Sequence, residues 1–195
     1  MNIINYIFSF LCSQEVSRSF VIDGYVLPCC QRCAGVYIGI GISFVYLLIS
    51  GYYKKGLPPR SIIYVNIASL LIMPIFGFHL LDPGPAWRLW SGLIFGNAIA
   101  FLICPAAFVI CNKGNAIGHN TKVSKFSFLL LFVFLITIPL WFPIQSSFFC
   151  YGTIALALAG VSGVLLCIAA TIGFLIKKVT VSLILKGFGN GYSKY

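Results

Sequence analysis

The sequence predicts an all-α integral membrane protein, a bundle of about five transmembrane helices with a small Cys-rich extracytoplasmic cap at its N-terminus. Only 8% of the 195 residues are charged and 60% are hydrophobic. A soluble domain carries about 25% charged residues, so lipid has to cover much of this chain. The sequence also contains five apolar runs that approach the ~20 residues required to span a bilayer. We expect one membrane domain over residues 1–195.

Each apolar run is predicted to be a helix, because lipid offers the backbone no hydrogen bonds and a span must satisfy its own. The predicted spans are Cys33–Ser50, Ser61–Leu81, Arg88–Cys111, Phe126–Phe142 and Phe148–Ile176. The remaining chain divides into the cap, residues 1–32, and a C-terminal tail, residues 177–195. Residues 33–176 then form the bundle.

The basic residues predict the orientation of the bundle. They are concentrated in the first loop, the third loop and the C-terminal tail: Lys54, Lys55, Arg60, Lys113, Lys122, Lys125, Lys177, Lys178, Lys186 and Lys194. Basic loops remain in the cytoplasm. We therefore expect a multi-pass protein of the cell (inner or plasma) membrane, with its N-terminus outside and its C-terminus cytoplasmic.

The net charge of +10 also bears on partners. The positive residues form short clusters between apolar runs, a pattern typical of topology signals and not of a nucleic-acid-binding face. The expected partner is the lipid bilayer, with acidic headgroups facing the lysine clusters. No nucleic acid is expected, and the sequence identifies no protein partner.

The cap contains most of the polar groups that could carry chemistry, in the stretch LCSQEVSRSFVIDGYVLPCCQRCAGVYIG. Two of the three acidic residues lie here, Glu15 and Asp23, together with Arg18 and Arg32. Charged groups near lipid are costly unless they pair. We expect the pairs Glu15/Arg18 and Asp23/Arg32. One interpretation of the stretch is a folded cap, held by these ion pairs and a disulfide.

A second interpretation is thiol–disulfide exchange. Cys30 and Cys33 have the spacing that brings two sulfurs together across one helical turn. Pro28 and the apolar run after Cys33 predict that the helix begins near Cys29 or Cys30. A cysteine at a helix N-terminus has a stabilised thiolate, because free backbone N–H groups face it.

This redox hypothesis assigns a role to each of five residues. Cys30 is the attacking thiol and Cys33 is its partner. Cys12 is a resolving or bridging cysteine. Arg32 and Arg18 adjust the local charge. A quinone dissolved in the bilayer is a candidate cofactor for such a pair at the membrane edge.

A third interpretation is a metal site in a protein without enzymatic activity. Cys12, Cys30 and Cys33 could hold a zinc ion, with His79 or Cys29 as the fourth ligand. The cap would then be structural, and the protein would act as a partner subunit or a small-molecule carrier. An oxidising exterior tends to convert such thiols to disulfides before metal binds. The three interpretations remain open from the sequence.

Two motifs resemble a known family. The patterns C-S-Q-x3-R-S-F and G-Y-x-L-P-x-C-x-R-C-x-G-V-Y-x-G are similar to the signature of the domain-of-unknown-function 2085 family of small bacterial and archaeal membrane proteins. A looser second block covers the next two spans, to about Pro105. The residues that match are Cys12, Gln14, Arg18, Ser19, Phe20, Cys30, Arg32, Cys33, Gly35, Tyr37, Gly39, Arg88, Gly92 and Gly96. The resemblance implies a membrane protein but supplies no activity, and Ser13 stands where the family usually has His.

Overall fold

The computed structural model describes residues 12–22, 24–77, 84–111, 121–141 and 147–189, together with Tyr6, Phe8 and Ser9. Five long helices dominate these residues, which confirms the predicted all-α class. They are α1 (Gln31–Ile49), α2 (Arg60–Gly77), α3 (Pro85–Cys111), α4 (Thr121–Trp141) and α5 (Ser147–Gly189). Four of them agree with the predicted spans to within a few residues. Helix α5 continues beyond the predicted end of its apolar run.

Three of the five helices are long and apolar enough to cross a membrane. These are α1, α3 and the segment Ile154–Lys178 of α5. Helices α2 and α4 contain shorter apolar segments, Arg60–Ile75 and Phe128–Thr137. Each of the three long segments has the length that a hydrocarbon core of about 30 Å requires.

Helices α1 and α3 pack together through glycines. A Cβ atom on Gly35 of α1 would collide with the carbonyl oxygen of Leu89 in α3, and one on Gly96 of α3 would collide with that of Val36 in α1. Small residues at such a contact let two helix backbones approach closely. Residue numbers rise together along both helices, so α1 and α3 run parallel, as predicted for spans separated by one returning helix.

A chain of buried polar groups joins three helices in the bundle interior. Ser43 Oγ of α1 donates to Asn97 Oδ1 of α3 at 2.9 Å. Asn97 Nδ2 in turn donates to Asn66 Oδ1 of α2 at 3.3 Å, and Asn66 Nδ2 donates to the carbonyl oxygen of Ile62 at 2.8 Å. Polar side chains in an apolar interior need such partners, because an unsatisfied group there is expensive. This series of hydrogen bonds therefore fixes the positions of α1, α2 and α3 relative to one another.

A short β-hairpin precedes α1, which the sequence analysis did not predict. Strand β1 (Ser19–Ile22) pairs antiparallel with strand β2 (Tyr25–Cys30), with Ile22 opposite Tyr25. The connecting dipeptide is Asp-Gly, and Gly24 has a φ of +80°. An Asp-Gly pair between β-branched and aromatic residues is the strongest short-range hairpin signal. The signal was therefore present in the sequence. Strand β2 of the hairpin leads directly into α1.

Candidate functional site

The site lies where β2 meets α1. Cys30 is the last residue of β2, with extended backbone angles (φ −68°, ψ 160°), and Gln31 is the first residue of the helix. The helix therefore begins one residue after Cys30 and two after Cys29, the predicted starts. Cys33 lies in the first turn of α1, so residues 30 and 33 occupy the same side of the helix start.

The N-terminal segment brings Cys12 to the same place. The Phe8 ring packs edge-on against the Tyr37 ring of α1, with centroids 5.4 Å apart. The backbone N–H of Cys12 donates to the carbonyl oxygen of Phe8 at 2.9 Å. Because Phe8 is buried against α1, this one-turn hydrogen bond positions Cys12 beside the helix start.

Gln14 ties the next part of the segment to β2. Its side-chain Nε2 donates to the carbonyl oxygen of Pro28 at 3.0 Å. Gln14 also has a φ of +52°, a left-handed conformation that is uncommon for a residue other than glycine. The backbone N–H of Cys30 then donates to Cys12 Sγ at 3.2 Å. The loop around Gln14 is thus bent so that Cys12 faces Cys30 across a gap of 18 residues in sequence.

The sulfur atoms of Cys12, Cys30 and Cys33 lie within 4.8 Å of one another, and we call these residues the thiol trio. Cys12 is buried and the other two are half-buried. The seven cysteines whose side chains the structure describes form no disulfide. Cys29 adjoins Cys30 in sequence but lies outside the trio, because successive side chains of a strand point to opposite faces.

Hydrogen bonding makes Cys30 the acidic member of the trio. The thiol of Cys33 donates to Cys30 Sγ, and this interaction, despite the opposing effect of burial, lowers the pKa of Cys30 from 9.0 to about 5. The backbone N–H groups of Cys33 and Arg32 and the thiol of Cys12 contribute in the same direction. Backbone donors are available because the first turn of a helix has N–H groups without intrahelical partners. These interactions therefore favour the thiolate form of Cys30.

A small cavity of about 90 Å³ opens beside Cys30. We call it the arginine cavity, because three arginines line it. Its lining residues are Arg18, Arg32, Arg88, Glu15, Gln31 and Cys30. Ser13, the departure from the family pattern, lines the same cavity. Cys12 and Cys33 are absent from its lining, so Cys30 is the member of the trio that faces the opening.

Two of these arginines have identified partners. Arg88 Nη1, from the first turn of α3, donates to Gln31 Oε1 of α1 at 3.1 Å. Arg18 Nε lies 3.3 Å from Glu15 Oε2, which confirms the ion pair predicted from the sequence. The predicted partner of Arg32, Asp23, lies outside the described residues.

The structure brings together all five residues of the redox hypothesis. Cys12, Cys30 and Cys33 form the trio, and Arg18 and Arg32 line the adjoining cavity. His79, the proposed fourth metal ligand, lies outside the described residues, so its placement stays a prediction.

Sequence reasoning gave no site role to Gln31 or Arg88. Both signals were visible, since Gln31 lies inside the Cys-x-x-Cys motif and Arg88 is the lone basic residue at the start of the third apolar run. What the sequence did not show is the contact between α1 and α3 that places these two side chains together.

The thiol trio also has the chemistry of a partial metal site. A tetrahedral zinc ion with Zn–S bonds of about 2.3 Å places its sulfur ligands roughly 3.8 Å apart. The trio provides three sulfur donors within 4.8 Å of one another. A closed structural site would need one further ligand. The described residues thus provide three of the four ligands of a tetrahedral zinc site.

Comparison with known proteins finds similarity to predicted membrane proteins. The sequence profile of a family described as "Predicted membrane protein (DUF2085)" matches residues 12–102, which include the thiol trio. An uncharacterised protein of Methanothermobacter thermautotrophicus is 31% identical over 102 residues, or 49% of this chain and 86% of that protein. An uncharacterised protein of Methanocaldococcus jannaschii is 29% identical over 115 residues, or 55% of this chain and 70% of that protein. No solved structure matches the chain. The family expected from the two sequence motifs is confirmed, and the chain belongs to the DUF2085 family of predicted membrane proteins.

Proposed function

We propose that this membrane protein catalyses thiol–disulfide exchange at the thiol trio. The observation that carries the proposal is the approach of three sulfur atoms to within 4.8 Å of one another at the start of a helix that is long and apolar enough to cross a membrane. Exchange requires an attacking thiolate and a second thiol close enough to displace the resulting mixed disulfide. Cys30 is the attacking thiol, Cys33 is its partner and Cys12 is a bridging cysteine.

The exchange proceeds in two displacements. Cys30 thiolate attacks a substrate disulfide R–S–S–R, forms a Cys30–S–S–R mixed disulfide and releases R–S⁻. The Cys33 thiol then loses its proton, attacks Cys30 Sγ, forms the Cys30–Cys33 disulfide and releases the second R–S⁻. The substrate disulfide gains two electrons and the protein loses them. The proton lost by Cys33 passes to one released R–S⁻, and the other R–S⁻ takes a proton from water. Cys12 offers a second route by which a thiol can reach Cys30.

The surroundings of Cys30 support its role as the attacking group. Arg32 and Arg18 line the same cavity and add positive charge near the developing thiolate. Cys30 alone of the trio lines that cavity. A substrate that enters the cavity therefore contacts Cys30 first. Cys33 does not line the cavity and lies in the first turn of α1.

We further propose that the trio lies on the extracytoplasmic side of the cell membrane and that the C-terminus is cytoplasmic. Residue numbers rise together at the contacts of α1 with α3 and of α1 with α5, which supports a parallel arrangement of these three helices. The exposed basic residues Lys54, Arg60, Lys125 and Lys177 then belong to the end of the bundle opposite the trio. Basic ends of membrane proteins remain in the cytoplasm.

The exchange reaction is tested by trapping the mixed disulfide. A Cys33→Ser variant lacks the group that displaces the substrate, so a covalent adduct at Cys30 should accumulate after addition of a small disulfide. Cys29→Ser is the matched control, because Cys29 is adjacent in sequence but outside the trio. Mass spectrometry of the purified protein measures the adduct. Equal adduct levels in the two variants would rule out a resolving role for Cys33.

The sidedness is tested by labelling intact cells after mild reduction. A membrane-impermeant maleimide should modify Cys30 and spare Cys111, which ends α3 at the opposite side of the bundle. Cys30→Ser should remove most of the label from the N-terminal segment. Labelling of Cys111 in preference to Cys30 would reverse the proposed orientation.

A second candidate function is a structural zinc site at the trio, in a protein that serves as a partner subunit or carrier. The three sulfur donors favour it. It predicts about one zinc ion per chain after purification and loss of folded protein on chelation. Exchange predicts instead that the metal-free protein stays folded and that its Cys33→Ser variant accumulates a mixed disulfide at Cys30. Metal analysis combined with thiol counting separates the two.

A further inference from the structure

We infer that the arginine cavity binds an anionic group of the exchange substrate, so that small disulfides carrying a carboxylate are preferred at Cys30. The inference rests on the proposed exchange function and adds the class of substrate. The chain has four arginines in 195 residues, and three of them line this one cavity of about 90 Å³. Such a concentration in a chain with few charges points to an anionic ligand.

The formal charges of the cavity favour an anion even when Cys30 is ionised. Three arginines and Glu15 give +2, and a Cys30 thiolate reduces this to +1. Glu15 is paired with Arg18, and Arg32 and Arg88 bring two further guanidinium groups to the lining. The first turn of α1 adds the positive end of a helix dipole at the same place.

The position of Arg88 is fixed by a buried partner. Gln31 is only 6% exposed, and its side-chain oxygen accepts the hydrogen bond from Arg88 Nη1. Because the guanidinium group is planar and rigid, this hydrogen bond fixes the orientation of the whole group. A guanidinium held in one orientation can bind a carboxylate with two parallel hydrogen bonds.

The size of the cavity limits the ligand. Its volume accommodates several water molecules, which suits a small polar group and excludes a folded segment. Cys30 forms part of the lining, so a carboxylate held by Arg88 lies beside the sulfur that reacts. In the exchange step the anionic disulfide forms a Cys30–S–S–R adduct and releases one R–S⁻. Cys33 then releases the second, so two substrate sulfurs are reduced for each Cys30–Cys33 disulfide formed.

The charge preference can be measured without exchange chemistry. Reduced, metal-free full-length protein is alkylated with iodoacetate, which is anionic, or with iodoacetamide, which is neutral, and modification of Cys30 is followed by mass spectrometry. The ratio of the two rate constants cancels any change in the thiolate population. In the wild-type protein we expect this ratio to exceed that of a free model thiol by about tenfold. This is the effect expected when one net positive charge near Cys30, partly screened by solvent, attracts the anionic reagent.

Arg88→Gln should lower the iodoacetate-to-iodoacetamide ratio at Cys30 severalfold. Arg60→Gln is the matched control, because Arg60 is the one arginine outside the cavity and is exposed at the start of α2. It should leave the ratio unchanged. If Arg88→Gln does not fold, the wild-type ratio still decides, since raising the salt from 0.05 to about 1 M should bring it close to that of the free thiol. A wild-type ratio equal to the free thiol at low salt overturns the inference.

A further experiment distinguishes a small anionic disulfide from an acidic lipid headgroup as the ligand of the arginine cavity. Dithiodipropionate, a small dicarboxylate disulfide, should form the Cys33→Ser adduct faster than cystamine, its cationic counterpart. Faster reaction with cystamine, or protection of Cys30 from iodoacetate only by vesicles of acidic phospholipid, overturns the inference in favour of no anion preference or of a headgroup site. Adduct formation by both disulfides at equal rates leaves exchange standing and removes the anion preference. An iodoacetate-to-iodoacetamide ratio raised as expected, but with no disulfide adduct, removes exchange alone.

Discussion

Two groups of cysteines occupy very different surroundings in this molecule. The thiol trio lies at the start of α1, beside three arginines and the N–H groups of a helix terminus. Cys104 of α3 and Cys167 of α5 also lie together, but they line an apolar cavity of about 270 Å³ with Phe44, Leu47 and Phe108. Leu47 is about 25 Å along α1 from Cys30 at 1.5 Å per residue.

The contrast teaches that proximity of two thiols is not sufficient for exchange chemistry. Thiolates are the reactive form, and they need hydrogen-bond donors or positive charge nearby. The trio has both, whereas the cysteine pair between α3 and α5 is surrounded mainly by hydrocarbon. Cysteines buried in this way generally serve as small apolar side chains. We therefore assign exchange to the trio and packing to the pair.

The largest expected effect comes from separating α1 and α3. In Gly35→Leu, the new side chain would collide with the backbone of Leu89 and Gly92, which cannot turn away as a side chain can. The cost should be at or above the upper end of the roughly 1–3 kcal/mol typical of overpacking. The shift also moves Arg88 away from Gln31, so alkylation of Cys30 by iodoacetate should slow. Unfolding in mixed detergent micelles and alkylation kinetics measure the two consequences.

Gly173→Leu provides the matched control for this substitution. Gly173 lies in α5, and a Cβ there would meet no atom within 4 Å. The control should unfold as the wild-type protein does, and its trio should react normally. If Gly35→Leu behaves like Gly173→Leu, the contact between α1 and α3 does not position the site, and the contrast between the two cysteine groups has another origin.

The second effect concerns the pH dependence of Cys30. Its pKa is lowered to about 5, so the thiolate persists as pH falls and is lost only when the pH drops through about 5. The rate with a neutral dipyridyl disulfide should stay level from about pH 8 to 6. A thiol of pKa 9 would instead lose rate tenfold per pH unit over that range.

At pH 5.5 the advantage of Cys30 should be roughly 20- to 60-fold over such an ordinary thiol. Its larger thiolate fraction outweighs the lower intrinsic nucleophilicity of a more acidic thiol. Cys30→Ser should remove the fast phase, and Cys104→Ser should retain it. A fast phase that declines already between pH 8 and 7 would contradict the hydrogen-bonding scheme at the helix start.

Much of the fold was predictable because lipid imposes length and hydrophobicity on each span. The five helices follow the five apolar runs, and Gly35 of α1 and Gly96 of α3 are at the contact where small residues are required. The hairpin was not predicted, although the Asp23-Gly24 pair is a turn signal.

The site was only partly predictable for a different physical reason. Spacing alone pairs Cys30 with Cys33, since both belong to one turn. Cys12 and Arg88 reach the site through tertiary contacts, from Phe8 to Tyr37 in one case and between α1 and α3 in the other. The family motif included both residues, but a motif gives no distances.

The smallest expected effect tests whether the two cysteine groups act independently. Cys104 is 5% exposed, so Cys104→Ala leaves a small void, and the protein should lose about 1 kcal/mol of stability, as for other small buried truncations. Cys111→Ala, at a less buried position of the same apolar cavity, should cost less. Both variants should form the Cys30 adduct at the wild-type rate within about twofold, because about 25 Å separates the two groups and additivity holds for distant sites. A marked slowing in Cys104→Ala alone would mean that electrons pass between the groups, and the pair could then no longer be assigned to packing.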